Sequence, residues 1–85
     1  MQQQLHDLVS VKLFFDQRGQ VRLEKVFWAG REYPILKIGL HHQYRQGRTL
    51  FHVFSAVSES LFFRLVLNTD SLFWTLEEVS DGLPN

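Results

Sequence analysis

Hydrophobic and polar residues alternate along much of this 85-residue chain with a period of two, which is typical of β-strands that bury one face. In the first such stretch, Val9, Val11, Leu13 and Phe15 occupy every second position. Clusters of Gly, Asn, Asp and Ser separate the alternating stretches, as they do at turns. The pattern predicts about six short strands, which cover residues 8–15, 21–29, 33–40, 49–57, 61–67 and 72–79.

The alternation changes phase in the second of these stretches. Val21 and Leu23 lie on one face of a regular strand, whereas Val26 and Trp28 lie on the other. A β-bulge inserts one extra residue into a strand and brings both pairs onto the same face. We therefore predict a bulge near residues 24–25, and this feature favours the bent strands of a small barrel.

Three segments have a less clear pattern. Residues 41–48 form the longest polar stretch and are predicted to be a loop. Residues 58–67 and 71–79 each begin with a serine, a common helix N-cap, and the second segment also fits helical spacing. Strands are preferred for both because Phe, Val and Trp dominate them. The predicted fold class is all-β, a small antiparallel barrel or sandwich, with α+β as the alternative if either segment is a helix.

Large aromatic residues stand side by side four times, as Phe14-Phe15, Phe27-Trp28, Phe62-Phe63 and Phe73-Trp74. Because neighbouring side chains of a strand point to opposite faces, one ring of each pair faces away from the core. The predicted interior consists of Val9, Val11, Leu13, Phe15, Leu61, Phe63, Leu65, Leu67, Leu72, Trp74 and Leu76. That leaves Phe14, Phe62 and Phe73 outside with Val66, as a candidate interaction surface for the chain's own ends, another copy or a ligand.

Composition narrows the class of protein. The 45% hydrophobic and 14% aromatic content exclude a disordered tail. Without cysteine, the chain has neither a disulfide framework nor a thiolate metal site. Nine basic residues balance nine acidic ones, which gives nucleic-acid binding no support from overall charge and permits self-association. We expect one β domain over residues 8–82, between a flexible lead-in at 1–7 and a tail at 83–85.

Two short motifs carry a resemblance to known domains. Residues 27–33 follow a W-x-G-R-x-Y pattern, and Trp74, Leu76 and Val79 begin a W-x-L-x-x-V-x-D-G pattern. Together they resemble a group of small bacterial β-barrel domains of unknown function, over residues 20–82. The resemblance implies an SH3-like or related small β fold and no particular activity. The chain departs from the pattern at His41 and His42, where a further tryptophan would be expected.

The first motif supplies a candidate recognition hairpin, composed of Trp28, Arg31 and Tyr33. The two aromatic rings offer stacking faces, and the guanidinium can hydrogen-bond a phosphate or a carboxylate. The alternative is a structural brace, in which the two rings pack inside the domain and Arg31 covers an aromatic ring.

The polar stretch supplies a candidate basic loop, composed of Tyr44, Arg45 and Arg48. Basic residues interleaved with aromatic ones suit single-stranded nucleic acid on a small barrel. The alternative is a loop that is simply solvated, because the charges are few.

Neither a catalytic site nor a metal site is expected. His41 and His42 diverge on a strand and therefore do not ligate one ion together, and Glu77 and Glu78 diverge in the same way. The serines lack a nucleophile-elbow pattern, and there is no glycine-rich phosphate loop. We expect a domain that is not an enzyme and needs no cofactor.

The hypothesis that these observations favour is a protein-interaction or self-assembly module, with a protein partner or a homo-oligomer. The alternative is a nucleic-acid-binding accessory domain. The polar start lacks the features of a signal peptide, and no apolar run approaches the about 18–20 residues that span a bilayer. A cytoplasmic location without membrane contact is therefore expected.

Overall fold

Seven antiparallel strands make up the fold in a computed structural model, which describes residues 2–81. They are β1 (Gln2–Phe15), β2 (Val21–Trp28), β3 (Arg31–Pro34), β4 (Lys37–Gln46), β5 (Thr49–Val57), β6 (Phe62–Asn68) and β7 (Trp74–Ser80). The described residues contain no helix, so the predicted all-β class is confirmed and the α+β alternative is wrong. Both ambiguous segments are strands, β6 and β7, as preferred from their composition.

The seven strands form one sheet in the order β3-β2-β1-β7-β6-β5-β4. Strands β3 and β4 lie at opposite edges of this order, yet only Ile35 and Leu36 separate them along the chain. The amide of Ile35 donates to the carbonyl of Glu24 in β2, and that of Leu36 donates to the carbonyl of Val57 in β5. The sheet therefore curls until its two edges meet at this corner, as an incompletely closed barrel.

The predicted bulge in β2 is present. Leu13 pairs with Leu23, whereas the preceding residue Lys12 pairs with Lys25, so Glu24 is the extra residue. The bulge turns Leu23 and Val26 to the same face, where both are buried in one hydrophobic cluster. Removing two such side chains from water contributes about 1.5–3 kcal/mol each to folding, which is reason enough for the strand to adopt the bulge.

The core lies inside the curled sheet. Its buried members come from β2, β5, β6 and β7, and are Leu23, Val26, Phe54, Ala56, Phe63, Leu65, Leu76 and Val79. The ring of Tyr33, on the edge strand β3, lies 5.3 Å from the ring of Phe63, on β6. Three strands separate β3 from β6 in the sheet order, so this contact crosses the interior and shows that the sheet encloses it.

Two segments that were not predicted as strands are strands. Residues 2–7 belong to β1 and are not a flexible lead-in, because Gln2 and Gln3 pair with Ser80 and Val79 of β7. Residues 41–46 belong to β4 and are not a loop, because each pairs with a residue of β5. Both segments are almost wholly exposed, so backbone pairing holds them without the burial pattern that marks a strand in sequence.

Two predicted interior residues lie at the surface. Phe15 is the last residue of β1, and Leu72 lies in the turn before β7 with a φ of 66°. Both are exposed because the strands end at or before them, where the alternation of faces no longer applies. The predicted tail at 83–85 and Gly82 of the second motif lie outside the described residues. Within the described part of the chain, no helix is long and apolar enough to cross a membrane.

Candidate functional site

The candidate recognition hairpin packs largely against the interior. The rings of Trp28 and Tyr33 lie 6.0 Å apart, and both meet the buried Phe63 ring in a T-shaped arrangement. The Trp28 Nε1 donates a hydrogen bond of 3.0 Å to Asp7 Oδ2. Only Arg31 is exposed among the three candidate residues. This geometry favours the structural brace, since both rings are partly buried and pack against the core.

The candidate basic loop is the end of β4 and the turn that follows it. Tyr44 stacks on Phe51 with the two ring centroids 4.9 Å apart and 12° between the planes. Arg45 is the next residue of the same strand and therefore points to the opposite side of the sheet. Arg48 lies in the turn beyond Gly47, which has a φ of 62°. The structure thus separates these three side chains.

Five apolar residues come together on the outer side of the sheet, and we call them the outer-face patch. They are Leu8, Tyr44, Phe51, Val66 and Phe73, which line a groove of about 300 Å³. Leu8 and Phe73 are 67% and 61% exposed, whereas Val66 is only 4% exposed and forms the floor. The polar residues His6, Gln46, Asn68, Ser71, Thr75 and Glu77 line the same groove, so the five apolar residues lie within a mixed lining.

The outer-face patch extends across neighbouring strands. Leu8 lies on β1, Phe73 directly before β7, Val66 on β6, Phe51 on β5 and Tyr44 on β4. Those strands are consecutive in the sheet order. With about 4.8 Å between strands, the patch spans on the order of 19 Å.

The predicted aromatic surface is only partly assembled. Phe73 and Val66 belong to the outer-face patch, but Phe62 lines a separate hollow with Ser55 and Arg64. Phe14 lies under the guanidinium of Arg22, 5.1 Å from its ring centroid. Both rings are exposed, as expected, and neither lines the groove of the patch.

Sequence reasoning does not find the other members of the patch. Leu8 precedes the alternating apolar run of its predicted strand, which starts at Val9. Tyr44 falls in a stretch that has the composition of a loop. The missing signal is the pairing of β4 with β5, which places Tyr44 directly opposite Phe51. A β-hairpin predicted around the turn at Gly47 would have placed the two rings side by side.

A cleft of about 690 Å³ lies between the beginnings of β2 and β4, and we call it the seam cleft. It exists because β3 pairs only with the second half of β2, residues 25–28. Beyond Pro34 the chain leaves β2 for β5, so the first half of β2 and the start of β4 diverge. Phe14, Arg22 and Lys37 are among the residues that line the opening.

Two histidines form a hydrogen-bonded pair on the inner side of β4 and β5. His41 Nε2 lies 2.7 Å from His52 Nδ1, and the His41 ring stacks on Phe54 at 4.1 Å. Partial desolvation of its ring, followed by the charges of His52 and His42, lowers the pKa of His41. The contact needs only one neutral ring, because one nitrogen must accept while the other donates. Among residues 2–81, no group of three or more His, Asp or Glu side chains is arranged to hold a metal ion.

No protein-family model, curated protein or solved structure matches this chain. The resemblance to small bacterial β-barrel domains therefore stays a prediction.

Proposed function

We propose that this domain is a non-enzymatic protein-interaction module that self-associates through the outer-face patch. The observation that carries the proposal is that five apolar residues, from four neighbouring strands and the turn before β7, line one groove, with Leu8 and Phe73 strongly exposed. Contiguous exposed apolar surface with aromatic residues is characteristic of protein interfaces. A single exposed leucine or phenylalanine would not require such an explanation.

A second copy of the chain is the partner that the charges favour. The nine basic and nine acidic residues leave no net repulsion between copies. Glu77, which lines the groove, forms an ion pair with Arg64 at 3.9 Å, so little unpaired charge borders the apolar surface. Two sheets can pack face to face about 10 Å apart, and a two-fold axis would place the same patch on both sides.

The test is the effect of a charge within the patch on the oligomeric state. We expect the wild-type chain to sediment as a dimer and Phe73→Asp as a monomer, because the aspartate would be desolvated in the interface. Phe73 is 61% exposed in the single chain, so thermal unfolding of the monomer should change little.

Phe15→Asp is the matched control, because Phe15 is 64% exposed and does not line the groove of the patch. This variant should remain dimeric. A wild-type chain that stays monomeric up to about 1 mM, where even weak dimers form, would refute the proposal.

Nucleic-acid binding receives less support from the geometry. The ring of Tyr44 is already stacked on Phe51, and Arg64 is engaged by Glu77. Tyr44 and Arg45, which the sequence grouped into a basic loop with Arg48, point to opposite sides of β4.

A further inference from the structure

We propose that the free edge of β4 binds an extended peptide strand of alternating acidic and apolar residues. This mode of recognition is strand addition, in which backbone hydrogen bonds give affinity and alternate side chains give specificity. The site goes beyond the proposed self-association, because its main contacts are the backbone groups of a sheet edge. Tyr44 belongs both to this edge and to the outer-face patch.

The first observation is the contrast between the two edges of the sheet. Within residues 2–81, β3 and β4 each have a neighbouring strand on one side only. β3 has four residues and ends at Pro34, so it offers little backbone for pairing. β4 has ten residues, and every one from Gly39 to Gln46 is exposed and none is proline. Long open edges are normally protected or paired, so β4 is the edge that fits a partner strand.

The second observation is the charge of the hairpin that β4 forms with β5. Residues 33–58 contain Lys37, Arg45, Arg48 and three histidines, but neither Asp nor Glu. Within the described residues, no salt bridge engages Lys37 or Arg45. Pairing β4 with β4 of a second copy would place like charges together, which is unfavourable. An acidic strand would instead be attracted.

The acidic residues on the far side of the seam cleft are already engaged. Asp16 accepts hydrogen bonds from the backbone amides of Arg18 and Gln20, and Glu24 forms an ion pair with Lys12 at 3.7 Å. These carboxylates therefore leave the positive charges of β4 available to an added strand.

The side chains of β4 specify the alternation of the partner. His41 stacks on the core residue Phe54, so His41 and Arg45 belong to the inner side of the sheet. Tyr44 stacks on Phe51, so Leu40 and Tyr44 belong to the outer side. An added strand would place acidic residues on the inner side, where Arg45 supplies the positive charge, and apolar residues beside Leu40 and Tyr44. The seam cleft, at the start of β4, has room for the end of that strand.

The experiment measures binding of a fluorescent, end-capped peptide of four Glu-Val repeats, whose eight residues match the length from Gly39 to Gln46. It uses both the wild-type chain and Phe73→Asp, so that failure of self-association and failure of peptide binding are read separately. We expect saturable binding at low salt, with amide chemical shifts changing along β4. Arg45→Glu should weaken binding by about tenfold. Arg31→Glu, at an exposed arginine of the other edge, should not.

Three comparisons decide the outcome. A Lys-Val peptide of the same length should bind at least about tenfold more weakly, because its charge is reversed. A Glu-Val peptide with N-methyl groups at every second residue should also lose binding, because it cannot form the backbone ladder. Equal binding by either peptide, or no effect of Arg45→Glu, would overturn the proposal. So would an oligothymidylate that binds more tightly than the Glu-Val peptide and displaces it.

Discussion

The neighbouring residues Phe62 and Phe63 lie on opposite faces of β6 and differ in burial. Phe63 is 1% exposed, and its ring contacts those of Trp28 and Tyr33. Phe62 directly precedes it and is 41% exposed on the outer side of the same strand. The alternation of a strand is enough to predict this difference from sequence, because it depends only on the two residues being consecutive in β6.

This contrast predicts that the same substitution lowers the free energy of unfolding by different amounts at the two positions. Phe63→Leu should lower the free energy of unfolding by about 1–2 kcal/mol, because it leaves a cavity where three rings meet. Phe62→Leu should change it by no more than about 0.5 kcal/mol. Urea denaturation of both variants is the measurement. Equal losses at the two positions would show that Phe62 is also buried, for example in a dimer.

At the scale of elements, strands with one buried face are predictable and strands without one are not. The phase change between Leu23 and Val26 reveals the bulge in β2, because burial of both residues demands it. β4 carries no such signal, since all of its residues from Gly39 onward are exposed. Its existence depends on pairing with β5, which local composition does not encode. The outer-face patch was therefore only partly predictable, because Tyr44 reaches it through that pairing.

The hairpin between β2 and β3 illustrates how a short element can carry strain. Its two turn residues, Ala29 and Gly30, have φ values of 53° and 77°. Two-residue turns with both φ values positive match the twist of a hairpin, but the left-handed conformation is unfavourable for alanine. The hairpin therefore holds Ala29 in a conformation that glycine adopts readily.

This geometry predicts that the two possible exchanges have opposite signs. Ala29→Gly should raise the free energy of unfolding by about 0.5–1 kcal/mol, because it relieves the left-handed alanine. Gly30→Ala should lower it by about 1 kcal/mol, although nothing lies near the added Cβ. Thermal and urea unfolding provide both values. A loss of stability in Ala29→Gly would contradict the strain.

At the scale of the whole molecule, individual hydrogen bonds join the two edges of the barrel at the corner where strand pairing is interrupted. β3 and β4 meet at the corner of Ile35 and Leu36, and pairing beyond this corner stops. Ser58, directly after β5, links that strand to the end of β3, because its buried hydroxyl donates a 2.8 Å hydrogen bond to the carbonyl of Pro34. Sequence shows Ser58 only as a break between strands, since its partner lies 24 positions away.

Ser58→Ala therefore tests whether this hydrogen bond fastens the edge strand β3 to the rest of the sheet. We expect a loss of about 1–2 kcal/mol in the free energy of unfolding, because the substitution leaves the Pro34 carbonyl without its donor. Amide hydrogen exchange should accelerate most in β3, whose only neighbouring strand in the described chain is β2. Ser60→Ala, at an exposed serine of the same turn, should leave both measurements nearly unchanged. If the two variants lose the same stability and β3 exchanges as before, the curled sheet is held closed by its core alone.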